Sequence, residues 1–134
     1  MPTEEFTVSL RVFHPASSHE EIAMELGLKA DFGHTVGQPR RTPAGRPLEG
    51  TNKNTFCSFT LLPKQPGDFV EGVRQLFSHL QSRRDFLRHV VEGGGRSELF
   101  IGIFAEESAG FTLRTADMLQ LAELSLELSV EMYI

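Results

Sequence analysis

Leu126-Glu127-Leu128-Ser129-Val130-Glu131-Met132-Tyr133-Ile134 alternates apolar and more polar residues without a break. Period two marks a strand with one buried face, so Leu126, Leu128, Val130, Met132 and Ile134 belong on a core side and Glu127, Ser129 and Glu131 on a wetter one. A segment written this way is expected to be zipped into a sheet rather than frayed. Immediately before it, Thr115 is positioned to cap a helix running to about Leu124. Before that helix, Leu99 to Ala105 is apolar on both faces, as a central strand requires. Gly110 marks a turn, and Phe111 to Arg114 reads as a short strand. The second half is therefore strand, short strand, helix, strand.

The first half repeats the theme. Phe6, Val8, Leu10 and Val12 alternate with Thr7, Ser9 and Arg11, and His14-Pro15 ends that strand. Ser17-Ser18 stands three residues ahead of Glu20-Glu21, a capping-box spacing, and Ile22, Leu26 and Gly27 complete a helix over about Ser18 to Leu26. Its end, Glu25-Leu26-Gly27-Leu28, is echoed by Glu123-Leu124-Ser125-Leu126. Thr55 to Leu62 is a second strand, closed by Pro63 and Pro66-Gly67. Asp68 and Glu71 open a helical stretch with Phe69, Val73, Leu76, Leu80, Leu87 and Val91 on one stripe. That stretch is either one long helix to Glu92 or two, with Ser82 and Asp85 capping the second; Gly93-Gly94-Gly95 stops it.

These elements predict a single α+β domain over residues 1–134. Its expected architecture is a two-layer sandwich, a mixed or antiparallel sheet of about five strands with helices mainly on one face. Two strand–helix–strand halves flank a central long helix. Lys29 to Asn54 has no periodicity and is read as a long irregular loop, the kind of segment that is functional or disordered.

A chain of 134 residues supports one sizeable core. Its net charge of −5 disfavours nucleic acid as a partner, because phosphate binding rests on Lys and Arg. The start, Met-Pro-Thr-Glu-Glu-Phe, is acidic where a signal peptide is basic, and Leu99 to Ala105 is too short to span a bilayer. A cytoplasmic protein with no membrane association is expected. Cys57 is the only cysteine, so no intrachain disulfide and no Cys-based zinc site can form.

Several stretches together resemble a bacterial family catalogued as "domain of unknown function 4279". They are the alternating strand Val8 to Phe13, the Ser-rich approach to Glu21-Ile22, Leu26-Gly27-Leu28, Gly37 in the long loop, the strand opening at Phe56-Cys57-Ser58, and the ending Leu126 to Tyr133. The likeness covers essentially the whole chain. The family often carries Trp where Phe56 stands, and this chain has no Trp. The resemblance implies a small bacterial α+β domain. Members found in toxin–immunity settings imply stoichiometric binding of a toxin. The family supplies no catalytic residues.

His14, His19, His34, His79 and His89 form no His-x-His or His-Glu-x-x-His pattern, so neither a metal nor a cofactor is called for. Cys57 lies mid-strand beside Phe59 and Leu61 and is read as a buried hydrophobe, not a nucleophile. Gly93 to Gly95 follows a helix and precedes a strand, the reverse of a phosphate loop. Glu127 and Glu131 share a strand face where Arg11 is a cross-strand partner if the two end strands are neighbours. The basic loop remains. Arg40, Arg41 and Arg46 fall within seven residues on an acidic protein, with His34 just upstream. The expected function is a non-catalytic interaction module that binds a protein partner or a small anionic ligand through this loop. The alternative is a small hydrolase or isomerase with its site at residues 31–50, using His34 as general base and a loop arginine as anion anchor. Base rates add a symmetric homodimer.

Overall fold

The computed structural model describes residues 4–134, and the two alternating strands found by pattern lie in one sheet. Strand β1 (Glu5–His14) is central. It pairs antiparallel with β5 (Thr55–Pro66) on one side and with β6 (Arg96–Phe104) on the other. Strand β7 (Leu126–Tyr133) runs parallel to β6, and the short β2 (Phe32–His34) lies against β5. The order is β2-β5-β1-β6-β7, a mixed five-stranded open sheet. Helices α1 (His19–Leu26), α2 (Phe69–Leu80), α3 (Arg84–Glu92) and α4 (Thr115–Glu123) cover one face. The fold is the expected α+β sandwich.

One core joins the layers. Val8, Leu10, Val12, Cys57, Phe59, Leu99, Ile101 and Ile103 are almost wholly buried under Ile22, Leu26, Phe69, Val73, Leu87 and Leu124 from the helices. At about 25 cal/mol per Å² of apolar surface removed from water, each such side chain stabilises the fold by roughly 1.5–3 kcal/mol before entropy is counted. The opposite sheet face has no helix. Its long side chains lie flat instead: the Arg11 guanidinium sits 3.6 Å from the centre of the Phe100 ring, and that of Arg96 4.0 Å from Phe13. Beneath them Glu98, only 6% exposed, is held by Arg96 at 3.3 Å, Arg11 at 4.0 Å and the Ser129 hydroxyl at 2.7 Å. A carboxylate is tolerated there because its charge is met from three directions.

One open choice is resolved and three local readings change. The stretch from Phe69 is two helices joined by a 3-10 turn over Gln81–Arg83, and α3 has no side-chain cap. The break places Arg83 Nε 2.7 Å from the Leu26 carbonyl, so it serves the unsatisfied end of α1. Strand β5 continues past Pro63 to Pro66, because beyond Ser58 it has no neighbour on its β2 side to miss a donor. Residues 111–114 form no strand; Phe111 packs edge-on against Phe69 at 4.8 Å. Finally, β1 and β7 are not neighbours, since β6 lies between them. Glu127 therefore meets Arg96 at 3.2 Å, not Arg11. No helix among the described residues is long and apolar enough to cross a membrane.

Candidate functional site

The stretch read as an irregular loop is built. After β2 the chain turns at Thr35–Gln38 and forms a separate two-stranded sheet, β3 (Pro39–Arg41) with β4 (Pro47–Thr51). Its tip is dictated by Thr42-Pro43-Ala44-Gly45. Proline at the second position presets a type I turn, closed by the Gly45 N–H to the Thr42 carbonyl at 2.8 Å. Gly45 then adopts φ 89° and makes the bulge that lets Thr42 N–H reach the Arg46 carbonyl at 2.9 Å. The Thr42 hydroxyl also accepts the Arg46 N–H at 3.0 Å. At the base, Asn52 bonds Gln38 through its backbone N–H and Thr35 through its side-chain amide, both at 2.9 Å.

This hairpin and β2 border an open-sided cavity of about 520 Å³. His34 and Arg41 line it, with His19, Gln38 and Asn52. Arg40 does not, because neighbouring strand residues point to opposite sides; it donates to the Glu49 carbonyl at 3.1 Å. Arg46 sits at the hairpin tip, outside the lining. Of the four expected binding residues, two are thus brought together and two are not. Arg41 donates to the Gly45 carbonyl at 3.3 Å, and among the described residues no carboxylate lies within 4.0 Å of its guanidinium. Asp31 also borders the cavity, but its carboxylate is occupied by the backbone N–H and hydroxyl of Thr60.

His34 stands on the open sheet face between Phe32 and Phe56, ring centres 6.1 and 5.8 Å away. Its Nδ1 is buried and has no hydrogen-bond partner among the described residues. Only Nε2 is left to meet a ligand. His19 is fixed: its backbone N–H donates to the Thr35 hydroxyl at 3.1 Å, and its Nδ1 lies 2.6 Å from that hydroxyl. Pattern reading had no reason to single out His19, Gln38 or Asn52, which the hairpin fold assembles. The turn signal at Thr42–Gly45, legible in the sequence, would have pointed to that hairpin.

Elsewhere the chemistry is quiet. Burial pushes the Cys57 thiol up to about 11, with Glu20 adding to the rise, so no thiolate is on hand. No three His, Cys, Asp or Glu residues among those described are grouped to hold a metal ion.

A family model described as Domain of unknown function (DUF4279) matches residues 4–134. The chain belongs to this family. No curated protein and no solved structure matches it. Within this DUF4279 chain, the basic segment forms a small β-hairpin beside an open-sided cavity at the sheet edge.

Proposed function

We propose that this protein is a non-catalytic binding module of the bacterial cytoplasm that grips an anionic group of a protein partner between β2 and the β3–β4 hairpin. The observation that carries this reading is Arg41 and His34 turned toward one cavity, with no carboxylate in contact with the arginine. A guanidinium fork beside an imidazole nitrogen and the Gln38 amide suits a carboxylate or phosphate. An enzyme using His34 as general base gains less support. Such a base is normally oriented through its other ring nitrogen, and Nδ1 of His34 bonds nothing among the described residues. The resemblance to members in toxin–immunity settings fits capture of a partner in stoichiometric amounts.

The test is affinity capture from a lysate of the source organism with wild type, Arg41→Ala and Arg40→Ala. Wild type and Arg40→Ala should retain the same stoichiometric partner, while Arg41→Ala loses it without a change in melting temperature. Loss of a charge-assisted contact predicts an affinity drop of about tenfold. Equal retention by Arg41→Ala would rule out the cavity as the binding site.

A further inference from the structure

Strand β7 forms one edge of the sheet and, apart from the carboxylates of Glu127 and Glu131, has few of the features that keep edge strands apart. It is eight residues long, free of proline and lysine, and pairs with β6 without a bulge from Ser97–Leu126 to Phe104–Tyr133. Edges of this length are normally shortened, kinked or charged with lysine. The opposite edge, β2, has only three residues.

The backbone shows which groups are open. The Tyr133 carbonyl accepts the Ala105 N–H at 3.1 Å, so the main chain of Tyr133 faces the β6 side. Alternate residues share that direction: Glu127, Ser129 and Glu131 spend their N–H and C=O groups on β6. Leu126, Leu128, Val130 and Met132 turn theirs to the free edge. The side chains of these same residues lie on the helix face of the sheet, where α4 covers Leu126 and leaves Val130 37% and Met132 36% exposed. Ile134 is 85% exposed, and Met118 and Leu119 of α4 are exposed as well. An unpaired ladder thus runs along an apolar margin.

We infer that this margin pairs with a second copy of the chain, β7 against β7, antiparallel about a two-fold axis through Val130. An isologous contact must match its own sequence, and one register does so. With Val130 opposite the partner's Val130, Leu128 meets the partner's Met132 and Leu126 meets the partner's Ile134. On the other face Ser129 meets the partner's Glu131, and Glu127 meets the partner's Tyr133. Every residue with open N–H and C=O groups then faces another such residue. Centring on Ser129 instead sets Glu127 directly opposite the partner's Glu131, twice, and like charges facing each other are destabilising. Centring on Leu128 carries Met132 and Ile134 beyond the partner's strand. The Val130 register joins two sheets into one and covers the apolar margin in the same step.

Sedimentation of the full chain from micromolar to millimolar concentration should give a mass twice the 15.0 kDa of the chain. Val130→Lys places an uncompensated charge at the axis and should raise the dissociation constant by at least roughly tenfold with unchanged far-ultraviolet dichroism. Met132→Lys serves as a second variant if the first loses its helical signal. Register is read by cross-linking. Opposed residues in a hydrogen-bonded pair stand about 5.5 Å apart at Cα, within disulfide reach. Val130→Cys should therefore oxidise to a covalent dimer and Ser129→Cys should not; the native Cys57 is fully buried. A single 15.0 kDa species throughout overturns the inference. So do larger open-ended assemblies, a lysine variant that dimerises as well as wild type, or cross-linking through Ser129→Cys in place of Val130→Cys.

Discussion

Asp117 shows how one side chain ties two helices together. Its carboxylate takes both nitrogens of an Arg74 fork, Nε at 2.8 Å and Nη2 at 2.9 Å, and the Arg114 N–H at 2.9 Å. These bonds, the Arg74 pair above all, hold its acid form down to about 2, against an ordinary 3.8. The pair joins α2 to the first turn of α4, where a negative charge also complements the helix dipole. A group whose acidity is strengthened by folding adds stability above its unfolded value and loses that contribution as the pH falls toward the folded one. Asp117→Asn should therefore cost about 2 kcal/mol at neutral pH, the worth of a charge-assisted bond whose partner is left behind. The gap between variant and wild type should narrow as the pH drops from about 4 toward 2. Thermal melts across that range check both statements; a constant gap would contradict them. No sequence pattern announced this pair. Arg74 and Asp117 are 43 residues apart, and only the packing of α2 beside α4 makes them partners.

At the level of elements, two of the four expected helix starts were legible. Ser18 accepts the Glu21 N–H at 3.1 Å, as its spacing foretold, and Asp68 caps α2 through the Val70 N–H at 3.0 Å. Thr115 instead lies inside α4, behind an Arg114 cap, and α3 has no side-chain cap. The echo between Glu25-Leu26-Gly27-Leu28 and Glu123-Leu124-Ser125-Leu126 has a conformational basis. Gly27 and Ser125 both leave their helices in the left-handed region, at φ 67° and 56°. Glycine enters that region freely, whereas serine is strained there. Opposite outcomes follow: Gly27→Ala should destabilise by about 1 kcal/mol, and Ser125→Gly should stabilise by about 0.5 kcal/mol, strain relief exceeding the added freedom of the unfolded chain. Denaturant titrations of the two variants decide the signs. The β3–β4 hairpin was legible only at its Thr42–Gly45 turn, and its two strands carried no pattern. Strand patterns are recognised by an alternating buried face, and every residue of Pro39–Arg41 and Pro47–Thr51 is exposed.

For the molecule as a whole, the hairpin is an attachment and the five-stranded sheet is the body. The core was readable from periodicity because burial and alternation are the same fact seen twice; the site was not, because its two key residues meet only through a turn that buries nothing. Replacing residues 39–51 by a short Gly/Ser linker should therefore keep the fold to within about 1 kcal/mol, since changing the length of an exposed connection has only a small entropic effect. Partner capture should vanish in the same variant. A collapse in stability would show that the hairpin supports the body after all. The central place of β1 bears on how the chain is made. The ribosome delivers β1 before either of its neighbours, and β6 is finished only at Phe104. At about 5–20 residues per second, the nascent Phe6-to-Val12 segment spends several seconds with both of its edges unsatisfied. Strand β1, made before both of its neighbours, is thus paired along both edges only once β6 has followed it.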